Sequence, residues 1–179
     1  LRARLRSRLC KASDNTGITT APALYKNPGY NVLTDFQPIS QVVSSQNYLV
    51  ARPNLPANNV RELIAYGKAN KGKLSYATAG AGSSMHLAGE QLNILTGIDM
   101  LHIPYKGAGG AYGDVFDGRV DLLIDPVFSS MPHVKSGRLK PIAIMGMTRD
   151  TSLPQVQAAG EMFADFDFAS NLGIALPRA

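Results

Sequence analysis

The chain is poor in cysteine and in charge, and it has no long apolar run. Its one cysteine, Cys10, cannot close an internal disulfide, so the thiol count leaves the redox compartment open. No stretch reaches the roughly 20 apolar residues that a membrane-spanning helix needs. Charged residues make up 17% and hydrophobic ones 45%, the balance of a soluble globular protein, and 179 residues suffice for one large domain or two small ones around a real core. The formal charge of +5 loses its meaning once it is located. Arg2, Arg4, Arg6, Arg8 and Lys11 supply five of the 18 basic residues with no acid among them, which leaves 13 basic against 13 acidic residues in the remainder. A nucleic-acid binder carries its basic residues on the folded domain, and here the excess sits at one end, so no nucleic-acid partner is expected. His86, His102 and His133 lack metal-ligand spacing and read as capping or surface residues; neither metal nor cofactor is expected.

Residues 1–11 are basic enough to begin a signal peptide, but no apolar run follows and the chain starts with Leu rather than Met. We therefore expect an incomplete chain. Leu1, Leu5 and Leu9, spaced four apart, allow an amphipathic helix on a membrane or partner, although a frayed, solvated end is the stronger reading.

What the chain does have is a repeat of strand followed by helix. Residues 14–30, rich in Thr, Asn, Gly and Pro, read as loop with at most a short helix at 21–25. Residues 39–51 have the β-branched content of a strand that bends near Ser44-Ser45, and Pro53 and Pro56 close it. Asn58 or Asn59 then caps a helix with Val60, Leu63, Ile64 and Gly67 on one face. A strand at 73–78 runs through Ala79-Gly-Ala-Gly-Ser-Ser84 into a helix at 84–96, whose stripe is Met85, Ala88, Leu92 and Leu95 and which Gly97 stops. Further strands are expected at 100–104, 120–124, 140–147 and 166–176, with helices at 111–117, about 128–136 and 155–159. Strands separated by helices in this way run parallel and place their strand-to-helix loops on one edge of the sheet, where a ligand should sit.

Three loops meet there: 79–84, 105–110 and 125–128. In the first, two glycines permit turns that a Cβ obstructs, and Ser83 or Ser84 caps the helix while neighbouring N–H groups point outward. Such donors suit a carboxylate or phosphate, each charge-assisted bond contributing about 1.5–3 kcal/mol before desolvation. An ordinary Ser-capped strand-to-helix connection fits the same residues. The dinucleotide fingerprint needs a third glycine where Met85 stands, and a phosphate-binding P-loop needs Lys where Ser83 stands. Ser84, His86 and Asp125 make a hydrolase triad only on paper, because residues two apart at a helix start do not face each other. Tyr105 either packs its ring or touches ligand, and Asp125 before Pro126 either begins a turn or does the same.

Four ordered segments resemble the Bug family, the periplasmic solute receptors of tripartite tricarboxylate transporters. They are Leu74-Ser-Tyr-Ala-Thr-Ala-Gly-Ala-Gly-Ser-Ser-Met-His-Leu-Ala-Gly-Glu90, His102-Ile-Pro-Tyr-Lys-Gly107, Val120-Asp-Leu-Leu-Ile-Asp125 and Pro132-His-Val-Lys-Ser-Gly-Arg-Leu139. The resemblance implies an α/β fold of the type II periplasmic-binding-protein kind, with a parallel-type sheet, in which two lobes close on a small organic anion. It implies a non-enzymatic receptor located in the periplasm that hands its ligand to the transporter's membrane components. Thr78, Gly80, Gly82, Ser83 and Ser84 would form the carboxylate loop of the second lobe. His86 follows on the helix, Tyr105 and Lys106 lie in the adjoining loop, and Asp125 reads the rest of the ligand. The family's signal peptide, its Pro-Gly-Gly-rich first-lobe loop and its closing helices have no counterpart here. The chain is therefore expected to hold a nearly whole second lobe (49–144) between partial first-lobe segments (1–48 and 145–179), with binding impaired and self-association favoured. An α/β enzyme acting on a carboxylate or phosphate ester, and a non-binding remnant, are the alternatives.

Overall fold

The computed structural model describes residues 11–14 and 16–178; the expectation for residues 1–11 lies outside them except at Lys11, which begins a strand. In chain order the elements are β1 (Lys11–Asp14), a π-helical turn (Thr16–Thr20), α1 (Ala21–Leu24), α2 (Val32–Asp35), β2 (Phe36–Ser45), β3 (Asn47–Ala51), α3 (Val60–Ala69), β4 (Ser75–Thr78), α4 (Ser84–Thr96), β5 (Leu101–Pro104), α5 (Gly109–Phe116), β6 (Leu122–Pro126), α6 (Val127–Lys135), β7 (Lys140–Ile144), a 3-10 turn (Ala159–Glu161) and β8 (Ser170–Pro177). The bend expected near Ser44-Ser45 is a break at Gln46, which hands the chain from one sheet to another.

Two units result. Residues up to Ser44 together with those from Ser170 form one, and Ser45–Ala169 form the other. The smaller unit holds a three-stranded sheet in the order β1-β8-β2. On β2, Ile39, Val42 and Val43 are exposed. In the larger unit the order is β5-β4-β6-β3-β7. Of the 145–179 segment expected to belong to the first lobe, residues 145–169 lie in this larger unit, where Met145, Ala159 and Phe166 join its core.

Parallel pairing holds for β4 with β5 and with β6, as the alternation of strand and helix requires. It gives way at β3. That strand arrives straight from β2 without a crossover helix, and it lies antiparallel to both β6 and β7. The sheet is therefore mixed, and the C-terminal ends of β4, β5 and β6 still share one edge. At the opposite edge Asp121 accepts hydrogen bonds from Arg52 Nε at 2.9 Å and Ser75 N at 3.0 Å, tying the ends of β3, β4 and β6 together.

Side-chain alternation along the strands divides the core in two. Leu49, Ala51, Tyr76, Leu122 and Ile124 face α3 and α4, while Tyr48, Val50, Ala77 and Leu123 face α5 and α6. Local chemistry sets the helix ends. The Asn59 side chain accepts from Glu62 N to start α3, and Ser83 accepts from His86 N to start α4, which Gly97 ends in the left-handed region at φ 69°. The buried face of α4 differs from the expected stripe: Ser84, Ala88, Gly89, Leu92 and Thr96 are buried and Leu95 is exposed. Gly89 is the reason. A Cβ there would lie 2.3 Å from Tyr76 Cε2, so only glycine lets this face of the helix settle on the Tyr76 ring.

Candidate functional site

The loop between β4 and α4 is closed by its own hydrogen bonds. Ser83 Oγ donates to Gly80 O at 2.8 Å and accepts from His86 N at 3.2 Å, while Ser83 N reaches Gly80 O at 3.3 Å. Thr78, buried at the end of β4, accepts from Gly80 N at 3.3 Å through Oγ1. Gly82, with φ at 79°, donates its N–H to His86 Nδ1 at 3.1 Å. The residue pattern alone leaves the N–H groups of this loop pointing outward. For Gly82 and Ser83 this is corrected: their N–H groups are engaged within the loop, because the helix turns His86 back over it. The amides of Ala79 and Ala81 have no partner among the described residues. Ser84 is buried and has a partner of its own.

The second loop is strapped to the first. Tyr105 N donates to Thr78 O and Gly107 N to Ala79 O, both at 3.1 Å, so 79–84 and 105–110 form one surface at the sheet edge. Tyr105 directs its hydroxyl to Asp114 Oδ2, and burial together with that carboxylate pushes the phenol up to about 12. Asp114 also holds Arg119 at 2.7 Å, and its own carboxyl is held low by the Tyr105 and Arg119 hydrogen bonds. Lys106 is exposed and makes no hydrogen bond or ion pair among the described residues.

Asp125 is placed otherwise than a loop residue would be. It belongs to β6, opposite Tyr48 of β3, and α6 begins two residues later, so the expected 125–128 loop does not exist. The carboxyl is 1% exposed and accepts Tyr112 O–H at 2.6 Å. Burial pushes it up to about 6, against the Tyr112 and Ser129 hydrogen bonds that favour its charge. It shares the sheet edge with the two loops, but its register partner Tyr48 lies in the core under α5 and α6, whereas Thr78 and His86 lie on the α4 side.

Two residues of this region escape a reading from sequence. Tyr112 caps Asp125 and packs against His133 at 4.5 Å. His102, expected as a capping or surface residue, has its Nε2 2.7 Å from Thr78 Oγ1 and its ring stacked on His86 at 4.0 Å. Burial above all pushes it down to about 4, the neighbouring His86 adds to that, and Glu90 opposes it. The His102-Ile-Pro-Tyr-Lys-Gly107 segment carries the residue in plain view; what sequence cannot supply is that β5 lies beside β4 in a register that sets His102 opposite Tyr76.

Chemically the site offers amides, hydroxyls and imidazoles. Among the described residues no group of three or more His, Cys, Asp or Glu is placed to hold a metal ion. No described helix is long and apolar enough to cross a membrane.

Comparison with known proteins finds relatives over most of the chain. The family model described as "Tripartite tricarboxylate transporter family receptor" matches residues 9–179. A UPF0065 protein of Bordetella pertussis (strain Tohama I) is 36% identical over 148 residues, 83% of this chain and 46% of that protein. The structure of the periplasmic binding protein BugD has a TM-score of 0.87 at 36% identity, covering 95% of this chain and 57% of that one. The R. palustris protein Rpa4515 with adipate has a TM-score of 0.88 at 28% identity, covering 94% and 56%. The chain spans about half the length of the curated relatives it matches.

Proposed function

The chain belongs to the tripartite tricarboxylate transporter receptor family, and we propose on that footing that it takes part in capturing a small organic anion, a carboxylate or dicarboxylate, in the periplasm for delivery to the membrane components of such a transporter. It is a family of receptors rather than of enzymes. The observation that carries the reading is the double loop at the edge of the larger unit's sheet. There the amides of Ala79 and Ala81 stand without partners among the described residues, beside the N-terminus of a 13-residue helix, a setting that favours an anion through both hydrogen bonding and the helix dipole. Adipate, bound in the R. palustris neighbour, supports the carboxylate class.

Of the residues assigned from sequence, Thr78, Gly80, Gly82, Ser83 and Ser84 shape the loop in this reading, while His86 closes it from the helix. Tyr105 serves through its backbone and ring, since its hydroxyl is taken by Asp114. Lys106 contributes charge at the rim. Asp125 faces away from a carboxylate, and its part in this reading is confined to an uncharged portion of the ligand. Calorimetric titration with adipate and shorter dicarboxylates tests the reading, with Ala81→Pro as the control that removes one free amide. Heat released by the unaltered chain and lost in the variant supports it; equal heats from both overturn the loop assignment.

A further inference from the structure

The loop is held by two imidazoles that stand apart from its free amides. His86, in the first turn of α4, and His102, on β5, stack with ring centroids 4.0 Å apart and planes 27° apart. Each ring grips the loop at a different point. His86 Nδ1 receives the Gly82 N–H at 3.1 Å, and His102 Nε2 meets Thr78 Oγ1, the hydroxyl that receives the Gly80 N–H. A nitrogen that accepts an N–H carries no proton, so this loop geometry requires a neutral His86 with its hydrogen on Nε2.

We propose that His86 and His102 form a proton-controlled clasp on the ligand loop: with both imidazoles neutral the loop is held in the shape described, and a proton on His86 Nδ1 sets donor against donor and releases Gly82. Among the described residues, the groups facing the pair are few. Glu90, one turn further along α4, accepts the Tyr76 O–H at 2.6 Å, and the Tyr76 ring on β4 lies 4.9 Å from His102. Glu90 is therefore the nearby carboxylate that can steady an imidazolium, and it is already shared with a phenol. Two stacked imidazolium rings would repel, so the pair takes one proton at a time. His102 is pushed down to about 4, chiefly by burial, and so stays neutral where an imidazole ordinarily titrates. His86 and His102 are thus positioning residues, acting on the ligand through Gly82 and Gly80.

The functional consequence rests on the carboxylate reading above: acidification weakens binding because the loop opens. The test reads loop and ligand separately. In 15N-labelled protein, a scalar coupling across the hydrogen bond from Gly82 N–H to His86 Nδ1 is expected at pH 7.5 and absent at pH 5.5, with the Gly82 amide resonance moving in step. His86→Asn, whose Oδ1 stands close to the former Nδ1 and does not titrate, should keep the Gly82 resonance in place between the two pH values. Adipate, titrated into both proteins at both pH values, should lose at least fivefold more affinity on acidification with the unaltered chain than with His86→Asn, which carries the ligand's own titration as a control. A Gly82 resonance in the unaltered chain that stays put on acidification, or one that still moves in His86→Asn, overturns the clasp. Adipate that binds at neither pH while the Gly82 transition is intact supports the clasp and overturns the carboxylate reading instead.

Discussion

Replacing Asp125 with Asn should stabilise the larger unit at neutral pH and leave it nearly unchanged in acid. The carboxyl is 1% exposed and pushed up to about 6 from an ordinary 3.8, with burial as the leading cause. Because its folded-state pKa is raised, the stability it contributes is fully present below 3.8 and is lost as pH rises through 6. Above that, holding the ionised form in the folded state costs roughly 3 kcal/mol, at about 1.4 kcal/mol for each tenfold change in the ionisation constant. Asn keeps an Oδ1 to accept from Tyr112 and presents an amide toward Ser129, whose hydroxyl can accept. Some of the gain is spent on orienting that amide, so about 1–2 kcal/mol should remain at pH 7.5. Urea unfolding of both proteins at pH 4.0, 6.0 and 7.5 measures this, the variant's advantage growing with pH across that window. An advantage that is flat or reversed would refute the reasoning, since it would mean that the charged carboxylate is needed where it lies. Adipate titration of the same variant asks a separate question: undiminished affinity would make Asp125 a core residue only.

Other consequences follow from single residues. Gly89→Ala ought to gain about 1 kcal/mol of helix propensity, yet a Cβ placed 2.3 Å from Tyr76 Cε2 forces ring or helix to move. We expect a net loss of roughly 1–3 kcal/mol in thermal or urea unfolding. Ser83→Ala removes the cap of α4 and the bond to Gly80 O; about 1 kcal/mol of stability should go, and adipate affinity should fall more than it does for Lys106→Met, whose exposed side chain is costly to immobilise. A larger effect from Lys106→Met would reverse the order of importance at this site. On β2, Ile39 and Val42 are each 56% exposed, so the chain should self-associate in sedimentation velocity, and Ile39→Lys with Val42→Lys should shift it toward monomer. A monodisperse, monomeric unaltered chain would remove that expectation.

Local rules were readable from residue order. The extent of α4, its cap at one of Ser83 and Ser84, its stop at Gly97, a cap at one of Asn58 and Asn59 and a bend near Ser44-Ser45 each depend on neighbours within a few positions, and so the sequence determined them, together with the α/β class and the ordered motifs that mark the family. Strand direction did not follow in the same way. The reversal of β3 depends on which strands flank it in space, and a strand's residues do not record their neighbours. The stripe on α4 departs from the expected one at Leu95 because Gly89 turns the helix toward Tyr76, a residue on another element.

The site divides along the same line. That glycines and serines would bend the chain at 80–84 and open a helix is a property of those residues themselves. Which amides remain available is not, since it depends on the His86 ring folding back onto Gly82 and on the strap between Tyr105 and Thr78. Asp125 shows the physical reason most directly. Its place before Pro126 suggested an accessible turn, but pairing with Tyr48 drew it into the sheet, and the free energy of a carboxylate is set by the solvent and partners around it rather than by its neighbours in the chain. His102, on sequence a capping or surface residue, came to the loop only because β5 lies beside β4; residue order supplied the imidazole, and tertiary packing alone brought it to Thr78 and His86.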